Sequence, residues 1–312
     1  MNGVAAPRIA VDSAPAPDVQ GGDALRPRRS VSVVMVVYMT GEALQESLAC
    51  VLADPLVDEF VIVDNGSSPQ EAERLRLLAE RDDRVVLRTG HGNVGFARGA
   101  NLGARTAKGD LIVFLNPDAF LQAGCIAALA REIEGRAVPC IVGGRVLNPD
   151  RTEQRGARRG DITPVSALLS MSGLARSPAL RKFEVHWEGE ALPEQAAPAP
   201  TISGACFCMR REDFEAVDGF DEGYFLHVED VDLCWRVREM GGEVLFHPKA
   251  EVIHIGGASQ TSRLKVEFHK GVGLARYFAK RAGPLGRWAA WALAPLVIAA
   301  AVARPLLRRT RR

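Results

Sequence analysis

The acids of this chain gather in places where metal or proton chemistry is possible. Asp64 ends the apolar run that begins at Glu59. Asp118 follows Leu111-Ile112-Val113-Phe114-Leu115-Asn116-Pro117. Glu229, Asp230 and Asp232 crowd one segment among Phe225, Leu226, Val228, Val231 and Trp235. Carboxylates set among residues that favour burial must be paired, bind a metal or move protons. An acid at a strand end can accept from ribose or base groups or hold a divalent ion, although either Asp64 or Asp118 alone could cap the helix that follows. The three acids at 229–232 exceed what one helix N-terminus uses. Crowded like charges push one pKa upward, which suits a general base, and Asp232 is expected to be the cap. His254, on a short apolar strand running into Gly256-Gly257, becomes a metal ligand if it meets a strand-end carboxylate.

Those groups need elements to position them. Strand-length apolar runs at 30–38, 59–64, 84–88 and 110–115 alternate with helical stretches at 42–52, 70–81 and about 96–107. Such alternation predicts an α/β fold with a mostly parallel central sheet flanked by helices, whose ligands bind at the carboxyl ends of the strands. Residues 1–29 read as a disordered tail, and 148–200 as loops and short helices. A helix is expected over 266–282, stopped by Gly283-Pro284. Trp288–Ala303 is apolar, interrupted by Pro295 and flanked by basic residues on both sides. It falls short of the ~20 residues of a membrane span. Basic flanks favour a helix lying on an anionic inner leaflet.

Composition narrows the classes. The chain has 312 residues and a net charge of +1, so no overall field selects nucleic acid. Its six cysteines show no CxxC spacing and Met1–Gly22 lacks a secretory apolar core, so reduced thiols in a cytoplasmic protein are expected. The loop Gly90-His91-Gly92-Asn93-Val94-Gly95 spells a dinucleotide fingerprint, which raises an NAD(P)-dependent oxidoreductase as a rival. That fingerprint belongs in the first strand–helix turn, and here two strands precede it.

Taken in order, Val36-Val37-Tyr38, Val63-Asp64-Asn65-Gly66-Ser67, Asn93 to Gly103, Phe114-Leu115-Asn116-Pro117-Asp118, Ser203-Gly204-Ala205, Gly219-Phe220-Asp221-Glu222 to Arg236, and His254 resemble family-2 glycosyltransferases of GT-A fold, in their rhamnosyltransferase-like bacterial branch. The resemblance covers about Val31 to Ser259. It implies that Tyr38, Asp64, Asn65, Asn93, Arg98, Asn101, Asn116 and Asp118 line the nucleotide-sugar pocket. Asp118 and His254 would hold Mg²⁺ or Mn²⁺, with Asn116 standing where the family has the first Asp of its metal motif. Glu229-Asp230 would supply the base. The implied reaction is inverting transfer from a nucleotide-diphosphate donor, dTDP-L-rhamnose or a UDP-sugar, to a saccharide or lipid-linked saccharide at the inner membrane surface. A non-catalytic sugar-nucleotide binder is the remaining alternative. The expected division is 1–29 tail, 30–263 catalytic (30–120 nucleotide half, 201–263 acceptor half) and 264–312 membrane-associating helices.

Overall fold

The computed structural model describes residues 28–257 and 261–309. The elements in chain order are β1 (Val31–Val37), α1 (Ala43–Ala53), β2 (Glu59–Asp64), α2 (Pro69–Arg81), β3 (Val85–Arg88), α3 (Phe96–Thr106), β4 (Leu111–Leu115), β5 (Ala119–Leu121), α4 (Cys125–Glu134), β6 (Cys140–Leu147), β7 (Arg158–Arg159), α5 (Pro164–Ser172), β8 (Ala197–Pro198), β9 (Thr201–Ile202), β10 (Cys206–Arg210), α6 (Arg211–Ala216), α7 (Glu229–Glu239), β11 (Glu243–His254), α8 (Arg263–Arg281) and α9 (Pro284–Arg309). The expected tail lies outside the described residues except for Arg28 and Arg29. Arg28 is ordered by an ion pair to Asp58 at 2.6 Å. The last residues of the family resemblance, up to Ser259, also lie partly outside them.

The main sheet runs β3-β2-β1-β4-β10-β6-β11-β5, with β8 on β11. β1 is parallel to β2 and β4, and β2 to β3, as the continuous apolar runs predict. Alternate residues of β1 feed opposite faces: Val33, Met35 and Val37 join one core, Val34 and Val36 the other. The sheet is a GT-A-like mixed sheet. β10 enters antiparallel to both β4 and β6, and β11 runs parallel to β6. β11 extends over 12 residues, much longer than the stretch at 251–255 suggested. A register shift between His247 and Glu251 interrupts its apolar pattern. Past the shift, β11 pairs antiparallel with β5, setting His254 opposite Ala119.

The C-terminal helices depart from expectation in two ways. α8 is part of the core and not an appendage: Tyr277 is fully buried within the same apolar cluster as Phe220 and Val231. α8, just past the expected boundary at residue 263, packs into the core. α9 passes through Pro295 unbroken and offers an 18-residue apolar stretch, Gly286–Ala303, of which 11% is buried.

Candidate active site

Asp64 and Asp118 occupy the same end of the sheet, because β2, β1 and β4 are parallel neighbours. Asp64 Oδ1 accepts the amides of Gly66 (3.0 Å) and Ser67 (2.8 Å), which closes the turn leading to α2. Tyr38 packs against that turn: a Cβ on Gly66 would meet its ring at 3.5 Å. Beyond β4, the turn at Asn116 is tied to Ala205 (Asn116 N to Ala205 O, 2.9 Å). Asp118 is buried, its Oδ1 3.1 Å from His254 Nε2, and Asn116 Nδ2 lies 3.3 Å from the same nitrogen.

This cluster suits a divalent cation. Adjacent ligands on an octahedral ion with bonds of about 2.1 Å lie roughly 3 Å apart, which is the Asp118–His254 separation. One imidazole nitrogen and one carboxylate oxygen are donor types that Mn²⁺ accepts. Among the described residues no group of three or more His, Cys, Asp and Glu forms a site. Asp118 and His254 would therefore hold the ion by two donors.

Glu229 and Asp230 open α7. Their environments separate them. Asp230 Oδ2 pairs with Arg159 (2.5 Å) and accepts Gly204 N (3.1 Å), while Oδ1 accepts Val231 N (2.8 Å). Burial opposes ionisation of Asp230, but the Arg159 charge and these hydrogen bonds prevail and hold its pKa below the usual carboxylate value. Glu229 is pushed up to about 8, first by burial and then by the charge of Asp230. Its Oε2 is buried and has no hydrogen-bond partner among the described residues. Asp230 also lines a cleft of about 180 Å³ with Arg159, His186, His227, Lys270 and Leu274, whereas Glu229 does not. Gly204 contacts Asp230 and its neighbour Ala205 contacts Asn116, so the base cluster and the metal cluster share one short segment.

The other residues expected to line the nucleotide pocket make contacts within the fold. Asn65 is buried and spends its amide on Gly95 O (2.9 Å) and His91 (3.0 Å). Asn101 bonds Phe220 N and O, pinning α3 to the turn before α7. Asn93 closes its own loop by accepting Gly95 N at 3.0 Å. Arg98 is exposed and lies 3.5 Å from Glu222. Asp232 is not a cap: it is fully buried, bonded to Tyr224 (3.2 Å), Arg236 (2.7 Å) and Lys280 (2.8 Å). Asp221 closes its own turn by accepting Gly223 N and also pairs with Arg276 at 2.8 Å. Sequence reasoning missed Arg159 and also Gln154, whose Oε1 lies 2.7 Å from His254 Nδ1. Neither carries a spacing signal.

The dinucleotide reading fails on Gly95. Its open side faces Phe225, not a pyrophosphate: a Cβ would lie 2.6 Å from Phe225 O, and Phe96 N at the start of α3 donates to that oxygen.

The model of "Glycosyl transferase family 2" matches residues 32–218, more than half of the chain. The chain belongs to this family. It is a glycosyltransferase. A second model, "N-terminal domain of galactosyltransferase", matches residues 190–259. Among curated proteins the chain is 29% identical, over 71% of its length and 75% of the relative's, to an N-acetylglucosaminyl-diphospho-decaprenol L-rhamnosyltransferase of Mycobacterium tuberculosis. It is 25% identical, over 48% of its length and 54% of the relative's, to the rhamnosyltransferase WbbL of Escherichia coli. Two solved structures share the fold. A mannosyltransferase of Pyrobaculum calidifontis, in complex with GDP-Man and Mn²⁺, aligns with a TM-score of 0.58 at 18% identity, covering 91% of this chain and 76% of that one. GalNAc-T7, solved with UDP, GalNAc and Mn²⁺, aligns with 0.57 at 18% identity, and this chain spans 47% of its length.

Proposed function

We propose that this glycosyltransferase inverts the anomeric centre of a nucleotide-diphospho-sugar, depends on Mg²⁺ or Mn²⁺, and glycosylates a lipid-linked saccharide at the cytoplasmic membrane face. The observation that carries the reading is the meeting of Asp118–His254 with Arg159–Asp230 across Ser203-Gly204-Ala205. In this reading Asp64 and Tyr38 hold the donor's nucleoside at the strand ends, and Asp118 and His254 hold the cation. When bound, the cation neutralises the charge that builds on the departing diphosphate.

Asp230 is the general base. It stays ionised, faces the cleft and is aimed by Arg159 and Gly204 N. It takes the proton of the acceptor hydroxyl while that oxygen bonds the anomeric carbon from the face opposite the diphosphate. The bond to the diphosphate breaks and its electron pair leaves with the phosphate. Glu229 carries its proton at neutral pH and does not line the cleft, which makes it the poorer base.

Three observations support a membrane-borne acceptor. The cleft beside Asp230 is walled by Lys270 and Leu274 of α8 and Ala301 of α9. α9 exposes Trp288, Trp291, Leu293 and Leu296. The Mycobacterium relative is named for a diphospho-decaprenol substrate. That relative and WbbL, both named rhamnosyltransferases, favour L-rhamnose as the donor sugar, with a UDP-sugar as the second choice. The test is a thermal-shift and hydrolysis screen of nucleotide-sugars with and without Mn²⁺, repeated on Asp118→Ala. The true donor should raise the melting temperature by mass action, more so with Mn²⁺. A metal effect undiminished in Asp118→Ala would overturn the metal assignment.

A further inference from the structure

His254 is held from both sides, and its two ring nitrogens face different chemistry. Nδ1 lies 2.7 Å from Gln154 Oε1. The orientation of that amide is fixed by its other end, since Gln154 Nε2 donates to the His254 carbonyl (3.0 Å) and to Asn148 Oδ1 (3.3 Å). A carbonyl only accepts, so the nitrogen of Gln154 must face it. The Asn148 amide is fixed in turn: its Nδ2 donates to Thr152 Oγ1 (2.9 Å), and that hydroxyl donates to Asp150 Oδ1 (2.6 Å). A chain of hydrogen bonds thus starts at the Asp150 carboxylate and ends with Gln154 Oε1 as an acceptor beside the imidazole. The proton of neutral His254 must then sit on Nδ1.

The consequence appears at Nε2. With the proton on Nδ1, Nε2 presents a lone pair, consistent with Asn116 Nδ2 donating to it at 3.3 Å. Asp118 Oδ1 also lies 3.1 Å from Nε2. In the neutral ring two acceptors then face each other at hydrogen-bond distance. Left alone, a His beside a carboxylate would place its proton between them. Here the Gln154 chain opposes that choice, and a cation between the acceptors relieves the contact.

We infer that Gln154 is a positioning residue that locks His254 in its Nδ1-protonated tautomer and so presents Nε2 and Asp118 together to a divalent cation. This deepens the metal reading above and rests on it. Ligating imidazoles commonly donate their second N–H to such a partner, and losing it costs roughly 10–100-fold in metal affinity.

The experiment uses the full-length, metal-free protein labelled with ¹⁵N-histidine, with the His254 signals assigned by their loss in His254→Ala. Long-range ¹H–¹⁵N correlation should show Nδ1 protonated and Nε2 bare. In Gln154→Leu the pattern should move toward Nε2–H, and Mn²⁺ affinity, followed by the electron paramagnetic resonance of free Mn²⁺, should fall roughly tenfold or more. Gln154→Glu keeps an acceptor for Nδ1–H while giving up the donation to Asn148 and the His254 carbonyl, and should retain most of the affinity. A bare Nδ1 in the wild type overturns the inference even if the variants do not fold. So does undiminished Mn²⁺ affinity in Gln154→Leu, or an equal loss in both variants, which would mark Gln154 as a loop strut only. If the wild type binds no Mn²⁺ at all, the metal reading of the site falls, and the nitrogen shifts still decide the tautomer.

Discussion

Adjacent carboxylates at the start of α7 are driven apart by what each can reach. Arg159 and the Gly204 and Val231 amides stabilise the charged form of Asp230, whereas Glu229 has a buried oxygen with no partner. Asp230→Asn should lower kcat by roughly 10²–10⁴-fold with donor-induced thermal stabilisation retained. Loss of donor binding would move Asp230 to the nucleotide half. Glu229 gives a different signature. Its carboxyl ionises near 4.5 when unfolded and at about 8 when folded, so between those values the folded chain holds the extra proton. Stability therefore falls as pH rises through that window and is highest below it, on this group's account. Glu229→Gln removes the term. Urea unfolding should find the variant more stable than the wild type by about 1–3 kcal/mol at pH 9 and nearly equal at pH 5. Equal curves at both pH values would mean that Glu229 ionises freely in the fold.

At the level of elements, the strands and helices up to Leu115 were readable because strands buried on both faces are continuous apolar runs. The direction of β10 was not readable, since a buried run looks the same in a parallel or an antiparallel neighbour. The site was legible where an acid ends a strand, as Asp64 and Asp118 do. It was opaque where a residue works through a partner far along the chain: Arg159 meets Asp230 across 71 positions, and Gln154 meets His254 across 100. The glycine loop, set aside for its place in the strand order, shows the same limit. Its spelling fits a phosphate cradle, but the space beside Gly95 is taken by the loop that carries Phe225, so the motif joins the start of α3 to the segment before α7. Gly95 has φ +85° and no room for a methyl group. Gly95→Ala should cost about 2 kcal/mol or more in denaturant unfolding, from backbone strain and displacement of Phe225. A cost under ~0.5 kcal/mol would show that the two loops are not packed in solution.

Across the whole molecule, the C-terminal hairpin is packed into the fold through α8 and presents apolar side chains outward on α9. α8 secures the turn before α7 and the segment before α5: Arg276 and Lys280 pair with Asp221, Lys280 also reaches Asp232, and Arg281 bonds Asp161. α9 crosses α8 closely at Gly271, where a Cβ would lie 2.8 Å from Ile298 Cα, and turns its large apolar side chains outward. Trp288 is 78% exposed and Leu296 67%. Exposed Trp and Leu beside basic residues suit the headgroup boundary of an anionic bilayer. Deleting the hairpin would strip Tyr277 from the core, so truncation confounds anchoring with folding. The sharper test is Trp288→Ser, Trp291→Ser and Leu296→Ser together, which leaves the α8 ion pairs in place. Sedimentation with anionic vesicles should fall sharply. Turnover of a water-soluble acceptor should be unchanged, and kcat/KM on vesicle-borne lipid-linked acceptor should drop about tenfold, because the enzyme no longer concentrates on the surface that carries its substrate. If the triple variant sediments like the wild type, α9 is not the anchor, and its apolar face meets something other than lipid.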